Sequence, residues 1–144
     1  MKLKLKQILD AYSRIEHATA TKLKEDDVIK LLKARKAMRP HVNEYKDFLK
    51  DAQDKFKPEN WDEIERKIEQ WKQEGEKTTL SELERIEINK VGFEYDKKVQ
   101  SAVKDELEKE IEIEFEKLSD NADTKLMIEN RWTPAQLEEI EMLF

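Results

Sequence analysis

The sequence predicts a mainly α-helical fold closed by a minimal two-stranded sheet, and three observations predict it. Charged residues fill 43% of the 144 positions and apolar residues 38%, against only 2 Gly and 3 Pro. Few turn formers among many Glu, Lys and Leu favour long helices over a β fold. Second, apolar residues recur at steps of three and four along most of the chain, the spacing of one helix face. Third, two short stretches alternate with a period of two instead: Lys2-Leu3-Lys4-Leu5-Lys6 and Glu110-Ile111-Glu112-Ile113-Glu114-Phe115-Glu116. That is the pattern of half-buried strands.

One alternating stretch is basic at its polar positions and the other acidic, so residues 2–6 are expected to pair with 110–116. Leu3 and Leu5 would share a buried face with Ile111, Ile113 and Phe115. Cross-strand contacts contribute only about 0.2–1 kcal/mol each, so the ribbon must lie on the helices. A helix is the rival reading, because Leu107, Ile111, Phe115 and Leu118 step by four, four and three. Ile113 separates the two, since only a strand keeps it with Ile111 and Phe115.

The helices follow in order. Ile8, Leu9, Tyr12 and Ile15 predict a short helix ending near His17. Asp26 and Asp27 then suit a helix N-terminus, where the dipole favours negative charge. From there Val28, Leu31, Arg35, Met38, Val42, Tyr45, Leu49, Ala52 and Phe56 form a heptad-like seam, flanked by Ile29, Leu32 and Phe48. The seam keeps its phase across Pro40, which predicts one long helix kinked there, with a break as the alternative.

Lys57-Pro58-Glu59 reads as a turn, and Asn60 with Glu63 as a capping box. Trp61, Ile64, Ile68 and Trp71 then predict a helix closed by Gly75. A connection this short suggests an antiparallel partner for the long helix, with both tryptophans near Tyr45, Leu49 and Phe56. Thr79 or Ser81 can cap a third long helix, although alternation at residues 85–95 leaves a hairpin open. Gly92 weakens that helix by about 1 kcal/mol relative to Ala. Ser119-Asp120-Asn121 reads as a cap or turn before a short helix through Leu126 and Ile128. Thr133-Pro134-Ala135-Gln136 starts the last one, with Thr at N-cap, Pro at N1 and Gln at N3.

Residues 1–144 have the length of one domain and show no repeat, linker or low-complexity tract. With 0 Cys there is no disulfide framework or thiolate metal site. No apolar run approaches the roughly 20 residues that span a bilayer, and the N-terminus lacks a signal-peptide apolar region. A cytoplasmic protein without a membrane partner is therefore expected. The net charge of −6 hides an asymmetry: residues 1–57 carry 15 Lys and Arg against 9 Asp and Glu, and the remainder 13 against 25. The halves can neutralise one another.

Chemical signals are sparse. His17 and His41 belong to no metal-ligand motif, no Gly-rich loop exists to cradle phosphate, and the carboxylates read as solvated helix faces. No catalytic, metal or cofactor site and no small-molecule substrate is expected, so the protein reads as non-enzymatic. A structural or interaction protein is favoured, acting on a protein partner or on itself. Leu137, Ile140, Leu143 and Phe144 offer an apolar C-terminal face for a partner. The second reading is nucleic-acid binding through Lys30, Lys33, Lys36 and Arg39, from a stretch without acids over residues 28–39. Arg35, on the apolar seam, is expected either to pair with a glutamate or to extend its charge to solvent.

The opening Met1-Lys2-Leu3-Lys4-Leu5, the long helix with Tyr45 near its middle, the acidic run Glu110–Glu116 and the closing Trp132-Thr133-Pro134-Ala135-Gln136-Leu137 together carry a resemblance in layout. In these the chain resembles small uncharacterised helical proteins of phage and prophage gene clusters. The resemblance implies an accessory or assembly role, located in the host cytoplasm, and transfers no functional residue.

Overall fold

The two alternating stretches do pair. A computed structural model describes residues 1–144 and holds one antiparallel sheet of strands β1 (Lys2–Lys4) and β2 (Glu110–Glu112). The chain also forms six helices: α1 (Leu5–Glu16), α2 (Glu25–Phe56), α3 (Trp61–Glu74), α4 (Glu82–Leu107), α5 (Ala122–Asn130) and α6 (Pro134–Glu138). The chain divides into two compact units, one of Met1–Lys46 with Glu106–Phe144 and one of Asp47–Asp105. Helices α2 and α4 each run unbroken through the point of division, so no change of composition marks it.

In the first unit Lys2 faces Glu112, Leu3 faces Ile111 and Lys4 faces Glu110. Beyond the strand, the Ile113 N–H donates to the Met1 carbonyl at 3.0 Å. Ile113 is buried in the same core as Leu3, which excludes the helical alternative for this stretch. The ladder is shorter than the alternation over 2–6 and 110–116 suggested. Leu5 already begins α1, and its N–H donates to the Lys109 carbonyl at 2.9 Å. Leu5 nevertheless stays buried, so the sequence placed its side chain correctly and its backbone wrongly.

Charge pairing also shifts by one step. Lys4 and Lys6 both reach Glu108, at 2.7 and 2.8 Å, and neither forms an ion pair with a glutamate of β2. Their ammonium groups, Lys4 first, lower the Glu108 pKa to about 2. Carboxyl NMR should therefore find Glu108 titrating near pH 2, and Lys4→Ala with Lys6→Ala should return it toward the 4.5 of a free glutamate. An unchanged midpoint in the double variant would rule out this pairing.

The core of this unit gathers Ile8, Ala11, Tyr12 and Ile15 of α1 with Leu31, Ala34, Met38 and Val42 of α2. Leu126 of α5 and the tail residues Ile140 and Leu143 complete it, all three fully buried. Helix α6 starts as its sequence dictates: the Gln136 N–H donates to Thr133 Oγ1 while the Thr133 N–H donates to Gln136 Oε1, with Pro134 in the first turn. Asp27 is the one buried charged residue. It accepts hydrogen bonds from the Ser119 N–H at 2.9 Å and from the Ser119 hydroxyl, tying the start of α2 to the segment before α5. The Ser119 hydroxyl and then its N–H hold the Asp27 carboxyl below its ordinary value.

The second unit is a helical hairpin. Pro40 lies inside a single α2, so the long helix does not break. The expected packing of α3 on α2, with both tryptophans by Tyr45, Leu49 and Phe56, is corrected: both helices lie along α4. Phe48 and Ala52 lie near Ala102, and Tyr95 Oη donates to the Gln53 carbonyl at 3.1 Å. Further along, Trp61 meets Tyr95 with ring centroids 4.6 Å apart, and Lys67 pairs with Glu84 at 3.6 Å. Rising numbers on α2 and α3 match falling numbers on α4, so both run antiparallel to it. An amphipathic stripe states which side of a helix is buried and leaves open which helix covers it.

Helix α4 also settles residues 85–95 as helix rather than hairpin. Ser81 and Glu84 form its reciprocal cap: the Glu84 N–H donates to Ser81 Oγ and the Ser81 N–H to Glu84 Oε1. The expected box at Asn60 makes no side-chain bond. Gly75 ends α3 with φ of +60°, a conformation that favours glycine. At the hairpin tip the Glu74 carboxylate accepts from the Thr79 N–H at 2.8 Å and from Gln70, which hold its pKa below the usual range.

Candidate protein-binding groove

Two helices cannot surround their shared stripe, and the second unit leaves apolar surface open for that reason. Between α3 and α4 lies an open groove of about 500 Å³. Ile68 and Trp71 line it from α3, Ile88, Gly92 and Phe93 from α4, and Lys72 and Asn89 add polar groups. Ile88 is buried, Trp71 half-buried, and Phe93 is 69% exposed. An aromatic ring held that far into solvent on a well-formed helix has apolar surface to give a partner.

Both glycines of the chain line this groove. Gly75 is explained by its positive φ. Gly92 is not: its φ is not positive, and a Cβ built there would meet no atom within 4 Å. Neither backbone conformation nor packing within the chain requires glycine, yet it weakens α4 by about 1 kcal/mol relative to Ala. Its effect is to keep the groove wall clear beside Phe93.

Carboxylates border the groove. Glu65 and Glu69 lie seven and three residues before Lys72 on α3, which places them on its side of that helix. On α4, Glu82 is seven residues before Asn89 and Asp96 four after Gly92. All four are exposed and none forms an ion pair. Cations balance them: Lys72 and Arg85 stand on the same faces, and Lys90 and Lys97 lie three before and four after Phe93.

The residues singled out from the sequence lie elsewhere. Ile140 and Leu143 are fully buried, and Leu137 and Phe144 pack partly against the same core. Ile140 and Leu143 therefore serve the fold and offer no surface to a partner, while Leu137 and Phe144 stay partly exposed at its edge. Lys30, Lys33, Lys36 and Arg39 all sit on α2 in the first unit. Lys33, Lys36 and Arg39 are exposed on one face, and Lys30 is half-buried to one side. Arg39, followed by Arg35, lowers the pKa of the Tyr12 hydroxyl. Arg35 pairs with no glutamate; its guanidinium lies 5.9 Å from the centre of the Tyr12 ring. No three His, Cys, Asp or Glu side chains gather as a metal site, and no helix is long and apolar enough to cross a membrane.

The sequence signal for the groove was Gly92, read there only as a weakness of the helix. Trp71 and Ile68 were legible as an apolar stripe and Phe93 as part of an ambiguous one. Comparison with protein-family models, curated proteins and solved structures finds no match to this chain.

Proposed function

We propose that this is a non-enzymatic interaction protein that receives a protein partner in the groove between α3 and α4. The observation that carries the reading is Gly92: a helix-interior glycine with no internal reason, in the wall of an open apolar groove, beside an exposed phenylalanine. Apolar walls with few polar groups suit a protein side chain, and desolvating Phe93 and Trp71 supplies the affinity. The layout shared with small phage and prophage proteins supports an accessory or assembly role in phage, in the host cytoplasm. The second reading, nucleic-acid binding, draws on the exposed Lys33, Lys36 and Arg39. Ile29 and Leu32, exposed on the same face, favour a protein partner there as well.

The chain has no cysteine, so a single Asn89→Cys carries an environment-sensitive label at the groove. Its emission should shift to the blue in host extract or at high protein concentration, and Phe93→Ala should abolish the shift. Gly92→Ala should fold, gain about 1 kcal/mol from helix propensity, and lose the shift in part. A label that stays solvent-exposed under every condition would refute the groove as a binding site.

A further inference from the structure

Neither the fold nor the groove accounts for Arg35. It stands on the apolar seam of α2, half-buried, with no carboxylate partner and its guanidinium against the Tyr12 ring. Its Nε is closed off from solvent without an acceptor, whereas its terminal nitrogens are neither closed off nor bonded within the chain. Arg39 lies one turn further along the same side of α2, exposed and equally free of an ion pair. Like charges four residues apart on a helix destabilise it. From α1, Tyr12 brings its hydroxyl to these two guanidiniums. Its ring is buried at 9% exposure, but the hydroxyl is not shut off, and no group of the chain accepts its proton. The charged groups that act on this hydroxyl are Arg39 and Arg35, which hold its pKa down, and Glu16, which opposes them. Glu16 reaches neither arginine, its one ion-pair contact being His17 at 3.9 Å. On α2 itself residues 28–43 contain no acid, and Lys36 and Lys46 add positive charge near Arg39. Three donors thus converge between α1 and α2, and what they lack is an acceptor carrying negative charge.

We propose that Arg35, Arg39 and the Tyr12 hydroxyl bind a small oxyanion of the phosphate class. A guanidinium meets phosphate oxygens through two parallel N–H donors, whereas a lysine offers only a point charge, which gives arginine at both positions a use. The Tyr12 hydroxyl donates its free proton to a further oxygen. Stacking of Arg35 on a buried ring fixes two of the three donors before the anion arrives, which lowers the cost of ordering them. The anion in turn relieves the repulsion between Arg35 and Arg39, so its binding stabilises the first unit. The site lies wholly within that unit and does not depend on the groove between α3 and α4.

NMR spectroscopy of the full chain, titrated with inorganic phosphate against sodium chloride at matched ionic strength, tests this. The Nε–Hε signals of Arg35 and Arg39 and the backbone signals around Tyr12 should shift saturably with phosphate and not with chloride. Arg66 and Arg131, exposed elsewhere on the chain, serve as internal controls and should not respond. Arg39→Gln and Tyr12→Phe should each weaken binding at least about tenfold, the size of one charge-assisted hydrogen bond. Arg39 is exposed and phenylalanine keeps the Tyr12 ring, so spectra away from the site should match the parent. Phenyl phosphate in place of inorganic phosphate separates the sources: tighter binding marks a phosphate ester as the ligand, equal or weaker binding the free anion. No saturation by about 20 mM phosphate, or shifts that survive both substitutions, would overturn the site. A response of all arginines alike would also overturn it. So would shifts produced by a DNA oligonucleotide and not by inorganic phosphate, which would return Arg39 to the nucleic-acid reading with Lys33 and Lys36.

Discussion

Asp27→Ala is expected to destabilise the first unit by about 2 kcal/mol, because it removes a buried charged acceptor together with its two hydrogen bonds. Asp27 is 3% exposed, and its two oxygens satisfy the Ser119 N–H and hydroxyl. Ser119 itself is exposed, so the cost falls on the buried Asp27 side and on the lost bridge between the start of α2 and the chain entering α5. Ser119→Ala should cost less, about 1 kcal/mol, because the backbone N–H still reaches Asp27. Urea denaturation of both variants measures the difference, and equal losses would mean that the hydroxyl carries the whole clamp. The effect depends on pH with a definite sign. The folded-state pKa of Asp27 lies below its unfolded value, so the stabilisation is complete above the unfolded pKa of 3.8 and fades as pH falls through the lower folded value. The gap between parent and Asp27→Ala should hold steady at neutral pH and narrow in acid. A gap that widened on acidification would contradict the linkage.

Why that clamp escaped the sequence reading is instructive. An aspartate in the first turn of a helix is already accounted for by the helix dipole, and Ser119 by a turn, so neither residue leaves anything to explain. Their contact spans 92 positions, and no local pattern encodes it. The strand pair spans a similar distance and was legible, because two period-two segments of opposite charge were the only ones of their kind. Ile113 carried that inference, and its burial supports it. What failed at the ends of the ladder was local: Leu5 satisfies the buried face equally well as the first residue of α1.

The second unit shows the limit of periodicity more sharply. Trp61, Ile64, Ile68 and Trp71 were correctly read as one stripe, and the residues of α2 from Leu49 to Phe56 as another. A four-residue connection suggests that the two stripes fold onto each other. Instead both face α4, whose length lets it serve two shorter segments in series. One consequence is a layer two helices thick that buries Ile64, Ile88 and Val99 while leaving Leu83, Ile86 and Phe93 exposed. Composition anticipates none of this, since those residues look alike in the sequence. Gly92 is the exception, because its cost to the helix was visible before the groove that gives it a use.

Leu143→Ala is expected to lower stability by about 2–5 kcal/mol, the range for emptying a fully buried leucine site. Leu143 is 0% exposed, and its carbonyl accepts from the Leu118 N–H at 2.8 Å, so the backbone around it is fixed and can collapse little into the cavity. By contrast Leu83→Ala, at a residue 79% exposed, should change stability by no more than about 0.5 kcal/mol. Had the C-terminal residues formed a partner surface, the order would be reversed: truncation at Leu143 would leave the isolated chain unaffected and weaken only an assembly. Denaturant midpoints of the two variants, taken at a concentration where the chain is monomeric, separate these cases. The Asn89→Cys label supplies the converse, since Phe93 lines the groove and Leu143 lies inside the core. A destabilised Leu143→Ala that still associates at low temperature, beside a stable Phe93→Ala that does not, would assign the tail to folding and the α3–α4 groove to binding.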